Sequence, residues 1–261
     1  MERQTKITKE IKELTNKQAL LFVTIKMNSN YHDGQSEIAV GKLVKLTSIP
    51  ESTIKKKRPE LLKSGIFTER NYFTDQWGHS RIRYHMNCTP ENYFRLKNDY
   101  LKDEKLNPNE KGFLLKLKCL TLNNTNLIAM NITNIRRELN VGKNSKLVDI
   151  LIDKGYVLKF DSTHFYILNT NILFTSHENR ETIYRTIETF CIDKKIIPPP
   201  YDTKKLNKIL LKYTPCTFKE FLSQKCNAFI KGDLYKYIFS IITPRRPPIK
   251  EDNLKDTVLT L

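Results

Sequence analysis

"SIPESTIKKKRPELLKSGIF", residues 48 to 67, sets four basic side chains in a row and follows them at once with a proline. Ser48 and Pro50 close one helix and open the next, because proline fits a first turn whose N–H groups are unpaired anyway. Ile54, Leu61 and Leu62 fall on one side at helical spacing, and Gly65 is a natural C-terminal stop. The basic run Lys55, Lys56, Lys57 and Arg58 therefore reads as part of a helix with one apolar face. A nuclear localisation tag would not ordinarily be bracketed by core leucines, and a solvated basic loop would lack them altogether.

The flanks extend this reading. Upstream, "TNKQALLFVTIKM" (15 to 27) is apolar on most faces, with Thr15 or Asn16 as N-cap, which predicts a buried helix. "EIAVGKLVKLTS" carries Val40, Leu43 and Val44 at the spacing of a second, shorter helix. Downstream, "IFTERNYFTDQWGHSRIRYHM" alternates as two strands about a turn containing Gly78. The order helix, helix, helix, hairpin resembles the winged-helix DNA-binding domain, whose features match here at Leu43, Val44, Ser52, Thr53, Ile54, Leu61, Gly65 and Ile66. The pattern departs at Arg58, where an apolar residue is expected, and at Pro59, where a kink is expected.

The order then recurs. "NPNEKGFLLKLKCLTL" (107 to 122) parallels the first helix, with Phe113, Leu114, Leu117 and Leu120 apolar. "ITNIRRELNV" parallels the second, "GKNSKLVDILIDKGYVLKF" the third, and "DSTHFYIL" closes a shorter wing. Leu151, Gly155 and Tyr156 stand where Leu61, Gly65 and Ile66 stood. The fold expected is α+β and mainly helical. It comprises two tandem winged-helix domains at 1–100 and 101–174, a small helical C-terminal region at 175–243 and a flexible tail at 244–261.

Composition is consistent with a polyanionic partner. Lys and Arg number 45 against 28 Asp and Glu, a net charge of +17. That charge favours nucleic acid, although a Lys-, Asn- and Ile-rich composition also follows from AT-rich coding. The start "MERQTKITKEIKEL" is charged, and no apolar run is long enough for a membrane span, so a cytoplasmic protein is expected. Cys88, Cys119, Cys191, Cys216 and Cys226 are scattered, with no C-x-x-C pair, and read as reduced structural thiols rather than metal ligands.

In a winged helix the third helix enters the major groove. The resemblance thereby implies DNA contacts from Ser52, Thr53, Lys55, Lys56 and Lys57. Ser and Thr read bases, and Lys mainly neutralises phosphate. The returning wing strand places His79, Arg81, Arg83 and His85 on one face and Ile82, Tyr84 and Met86 on the other. Arg81 and Arg83 suit a phosphate row or minor groove, against the alternative of an ordinary solvated strand; Trp77, at the turn, is a packing plug or a contact. In the second unit Lys143, Asn144, Ser145 and Lys146 are expected to begin the third helix, with Arg136 and Arg137 just before. Asn pairs well with adenine. That unit is shorter and less basic, and dimerisation is its alternative role.

Catalytic motifs are missing. There is no Gly-rich phosphate loop, no G-x-S-x-G and no H-x-E with C-x-x-C, so no catalytic residue, metal or cofactor is expected. Tandem winged helices in a basic chain resemble the initiator proteins of iteron-type plasmids, and the same domains serve transcription regulators and primosome proteins. The function expected is double-stranded DNA binding in replication initiation or transcription regulation. The alternative is an interaction protein using its winged units for protein contacts, as in chromosome partition, with a strand-nicking enzyme a third and weaker reading. Phe218, Phe221, Leu222 and Phe229 form an apolar stripe in the C-terminal region. It is expected either to pack on the second unit or to make a homodimer.

Overall fold

In the computed structural model the chain is α+β and mainly helical, with small antiparallel sheets. The structure describes residues 4–242 apart from 31, 77, 79, 88, 89, 91, 123, 124, 169–171 and 174–178. The 244–261 tail, Trp77, His79 and Cys88 thus lie outside the described residues. The chain divides into two units, Met1–Glu181 and Thr182–Leu261.

In the first unit, capping decides where the principal helices start. The Gln18 side-chain oxygen accepts from both the N–H and the hydroxyl of Thr15, folding back over the first turn of α1 (Asn16–Met27). Asn107 accepts from the N–H groups of Asn109 and Glu110, and Glu110 accepts in return from the Asn107 N–H. This closed capping box, with Pro108 in the first position, opens α4 (Pro108–Cys119).

Each of these helices is followed by the same sequence of elements. After α1 come β2 (Gln35–Ser36), α2 (Val40–Thr47), α3 (Glu51–Lys63), β3 (Glu69–Thr74) and β4 (Ser80–His85). After α4 come β6 (Leu127–Ala129), α5 (Ile132–Glu138), α6 (Leu147–Asp153), β7 (Val157–Lys159) and β8 (His164–Ile167). The sheet orders correspond as well, β2-β4-β3 in one half and β6-β8-β7 in the other, all antiparallel. Even the backbone exceptions repeat. Ser48 and Asn140 both hold positive φ in the turn between the second and third helices, and Gly65 and Gly155 both do so after the third.

Two turns show why. Val141 N–H donates to the Arg136 carbonyl and Asn140 N–H to Arg137, while Tyr156 N–H donates to Leu151 and Gly155 N–H to Ile152. Both are Schellman closures, which need a left-handed residue at the penultimate position; Asn and Gly tolerate that best. Helix α3 runs unbroken through Pro59.

The halves share one core. Residues 18–27 of α1 and 110–118 of α4 are buried along their whole length, and the two helices pack directly on each other. The approach is closest at Gly112, where a Cβ would lie 1.8 Å from the Asn16 carbonyl oxygen. Beside that point the Asn16 amide donates to the Asn109 side-chain oxygen at 3.0 Å. A third sheet was not foreseen from the sequence: β1 (Gln4–Thr8) pairs with β5 (Tyr93–Lys97), and β5 with β9 (Ile172–Leu173). The charged N-terminus is thus a strand followed by a 3-10 helix (Lys9–Glu13), pinned by buried Ile7 and Ile11. A second 3-10 helix, Asn98–Lys102, leads towards α4. On β5, Arg95 is 4% exposed and bonds Gln4 and Glu181.

The second unit contains α7 (Asn179–Asp193, in which the boundary falls), α8 (Thr203–Leu210), α9 (Pro215–Lys225) and α10 (Leu234–Ile242). Phe218, Phe221, Leu222 and Phe229 are buried. Phe218 and Phe221 cluster with Tyr213, and Phe229 packs on Tyr237, all within this unit. On the single chain the stripe is thus covered, with these ring contacts as part of its surroundings.

Candidate nucleic-acid interface

Helix α3 is where the basic run lies. Ile54 and Leu61 are fully buried, anchoring one side. With about 3.6 residues per turn, Ser52, Lys56, Pro59 and Lys63 fall on the opposite side, and all four are exposed. Pro59 therefore faces outward, where the hydrogen bond it cannot make costs the core nothing. Lys63 was not singled out from the sequence, although it continues the Ser52 and Lys56 stripe at helical spacing.

The remaining α3 cations are engaged to different degrees. Lys55 pairs with Glu51 at 2.7 Å, one turn earlier, with both side chains more than half exposed. Such a pair is worth little and yields readily to a phosphate. Lys57 is half-buried and pairs with Glu60 at 2.8 Å, while Gln18 also donates to Glu60. It lines a cavity of about 270 Å³ with Asn16, Asn109 and Asn140, at the seam between the halves rather than on the outward stripe. Thr53 is half-buried. Arg58, the departure from the apolar pattern, stands beside the buried Tyr84 hydroxyl, close enough for its charge to act there though without good hydrogen-bond geometry. Burial raises the Tyr84 pKa and Arg58 partly opposes it. A long side chain here packs its stem inward and keeps its guanidinium at the surface.

The hairpin β3–β4 alternates as expected, with Tyr84 and Met86 buried and Arg81, Arg83 and His85 on the other face. Both arginines have carboxylate partners, Arg81 with Asp75 at 2.8 Å and Arg83 with Glu37. The Arg83 guanidinium also lies 4.9 Å from the centre of the Phe73 ring. His85 stands 3.5 Å from the Asn71 amide. Tyr72, on the face shared with Ile82 and Tyr84, is 68% exposed; sequence reasoning passed it over.

In the second half the corresponding surface is cut short. Helix α6 begins at Leu147, so residues 143–146 precede it instead of forming its first turn. The physical reason is a local closure: Ser145 N–H donates to the Gly142 carbonyl at 2.9 Å, and Arg136 donates to the Ser145 carbonyl at 2.7 Å. Arg136 also approaches Asp149 at 3.9 Å, so it braces the turn. Lys143, Asn144, Lys146 and Arg137 are exposed, and Ser145 is half-buried. The short β7–β8 hairpin carries a carboxylate at its turn. Asp161 accepts from the N–H groups of Thr163 and His164 and stands 2.9 Å from the His164 ring. These contacts, the Thr163 N–H first, pull its pKa down to about 2.

Part of the positive charge is structural. Lys26 donates to the Asn87 carbonyl, Lys111 to Leu101, Lys116 to Leu139, and Lys118 to Thr125 and the Asn126 side chain, all four being buried. Desolvation lowers the pKa of Lys111 and Lys116. The thiols of Cys119 and Cys191 are pushed up to about 12 and that of Cys226 to about 11, chiefly by burial, which makes them poor nucleophiles at neutral pH. Among the described residues no group of three His, Cys, Asp or Glu is placed to hold a metal ion, and no helix is long and apolar enough to cross a membrane.

No protein-family model matches the chain, and no curated protein matches it significantly.

Proposed function

We propose that the first unit is a pair of winged helices and that the chain binds double-stranded DNA, contacting it mainly through α3 and the β3–β4 hairpin. The observation that supports this best is the repeated element order with identical sheet order. In each half a short strand, two helices and a hairpin follow a buried helix. In the first half the third helix turns a basic stripe to solvent. Lys56 and Lys63 neutralise phosphate, Lys55 joins them by leaving Glu51, and Ser52 meets base edges. Arg83 lies on the hairpin and reaches phosphate by exchanging its exposed Glu37 partner, while Arg81, held by the largely covered Asp75, adds its charge beside it. Lys143, Asn144 and Lys146 make a smaller, secondary contact. The process served is replication initiation or transcription regulation.

Binding of a fluorescein-labelled duplex, followed by anisotropy over a salt series, tests this reading. The expected log–log slope is about −0.9 for each phosphate neutralised. Affinity that stays flat from low to moderate salt overturns it. Selection of bound fragments from random and genomic DNA then separates the two processes: repeated arrays indicate an initiator, and a single operator a regulator.

A further inference from the structure

The two aromatic side chains at the middle of β3 have opposite environments. Phe73 lies under the Arg83 guanidinium. Tyr72, its neighbour, points to the inner face, in register with Ile82 and on the side of Tyr84. Those two residues pack into the core, but Tyr72 is left 68% exposed. Its hydroxyl has no hydrogen-bond partner among the described residues. On this face the charge of Arg58 acts on the adjoining Tyr84. A flat, uncovered ring on a hairpin that carries arginines, in the same half as the basic helix α3, has the surface chemistry that holds an unstacked base: a π-face for the ring and positive charge for the backbone.

We propose that Tyr72 stacks on an unpaired base where duplex gives way to single strand, so that the first half prefers such junctions to uninterrupted duplex. The inference rests on the DNA-binding reading above and deepens it by naming the form of DNA. In uninterrupted duplex every base face is already stacked, and Tyr72 gains only edge and sugar contacts. At a junction the first unpaired base has a free face, and stacking it on tyrosine costs no base pair.

The test compares one labelled duplex with the same duplex carrying a single-stranded tail, with 2-aminopurine at the first unpaired position. Wild type and Tyr72→Phe are expected to bind the tailed probe between about fivefold and a hundredfold more tightly, the range for one base on one aromatic ring. Both are also expected to quench the 2-aminopurine. Tyr72→Ala is expected to bind both probes alike and to leave the fluorophore bright, with an unchanged circular dichroism melt because the side chain is exposed. Equal binding of the two probes by wild type overturns this proposal while leaving duplex binding intact, as does a Tyr72→Ala protein that keeps the preference. A Tyr72→Phe protein that behaves like Tyr72→Ala also overturns it, since stacking does not need the hydroxyl. Failure of wild type to bind either probe overturns the DNA reading and this one with it.

Discussion

The two halves of the first unit are built alike and finished differently. Residues 35–85 carry a thirteen-residue third helix and a hairpin of six-residue strands, whereas residues 127–167 carry a seven-residue helix and strands of three and four residues. Gly65 and Gly155, and Ser48 and Asn140, hold the same backbone roles in both. What differs is the outward chemistry: a basic stripe with an open tyrosine on one side, an arginine-braced turn and an Asp161 hairpin turn on the other. Core positions and turn residues repeat, while the surfaces of the third helix and hairpin diverge, and under the DNA-binding proposal that divergence assigns the main contact to the first half.

The harshest way to break the comparison is at the contact the halves share. Gly112→Ala places a methyl carbon inside the Asn16 carbonyl, a clash with backbone that no rotamer relieves. It is expected to destabilise the first unit by about 3 kcal/mol or more, measured by urea denaturation. A variant as stable as wild type would mean that α1 and α4 do not meet as closely as described.

Next comes the difference in use. Lys55→Ala with Lys56→Ala is expected to weaken duplex binding about tenfold and to lower the salt slope by about two phosphates. Lys143→Ala with Lys146→Ala is expected to change it less than about threefold. Equal losses from the two pairs, in parallel anisotropy titrations, would make the halves equivalent partners. On the second half alone, Arg136→Ala removes the brace across residues 142–145. It is expected to cost about 1 kcal/mol in thermal or chemical melts, without altering duplex affinity.

The smallest effect is on pH dependence. Cys119 and Cys191 have folded pKa values of about 12, above the usual thiol range near 9. Their protonated forms are favoured in the fold, so the stability they contribute is complete below about pH 8.5 and is lost as pH rises towards 12. Lys111 and Lys116, with lowered values, act in the opposite sense over the same range. A Cys191→Ala protein is expected to lose stability less steeply with alkali than wild type. An identical slope would mean that this thiol does not titrate on unfolding as described.

Much of the architecture was legible in the sequence because it is written in local signals. The caps before α1 and α4, Gly65 and Gly155 after the third helices, and the alternation on β4 each follow from near neighbours in the chain. The third sheet was not legible, because β1 reaches β5 across 85 to 93 residues and carries a single apolar side chain, Ile7. The stripe of Phe218, Phe221, Leu222 and Phe229 was visible, but neighbours such as Tyr213 and Tyr237 reach it only through the tertiary fold. At the candidate site the basic run was plain. Lys57 turning to the seam, Arg136 bonding a carbonyl and Tyr72 left open on an inner strand face are facts of tertiary placement, which spacing alone does not encode.

The buried lysines bear on how this chain meets chemistry other than binding. Lys26, Lys111, Lys116 and Lys118 spend their ammonium groups on backbone carbonyls inside the fold. An acylating reagent, or an acetyltransferase, meets only the others while the protein is folded. Once acylated, these four would lose the charged donor that satisfies those carbonyls. Modification there therefore records exposure of the interior, and the pattern of acylated lysines along the chain works as a clock for its unfolding.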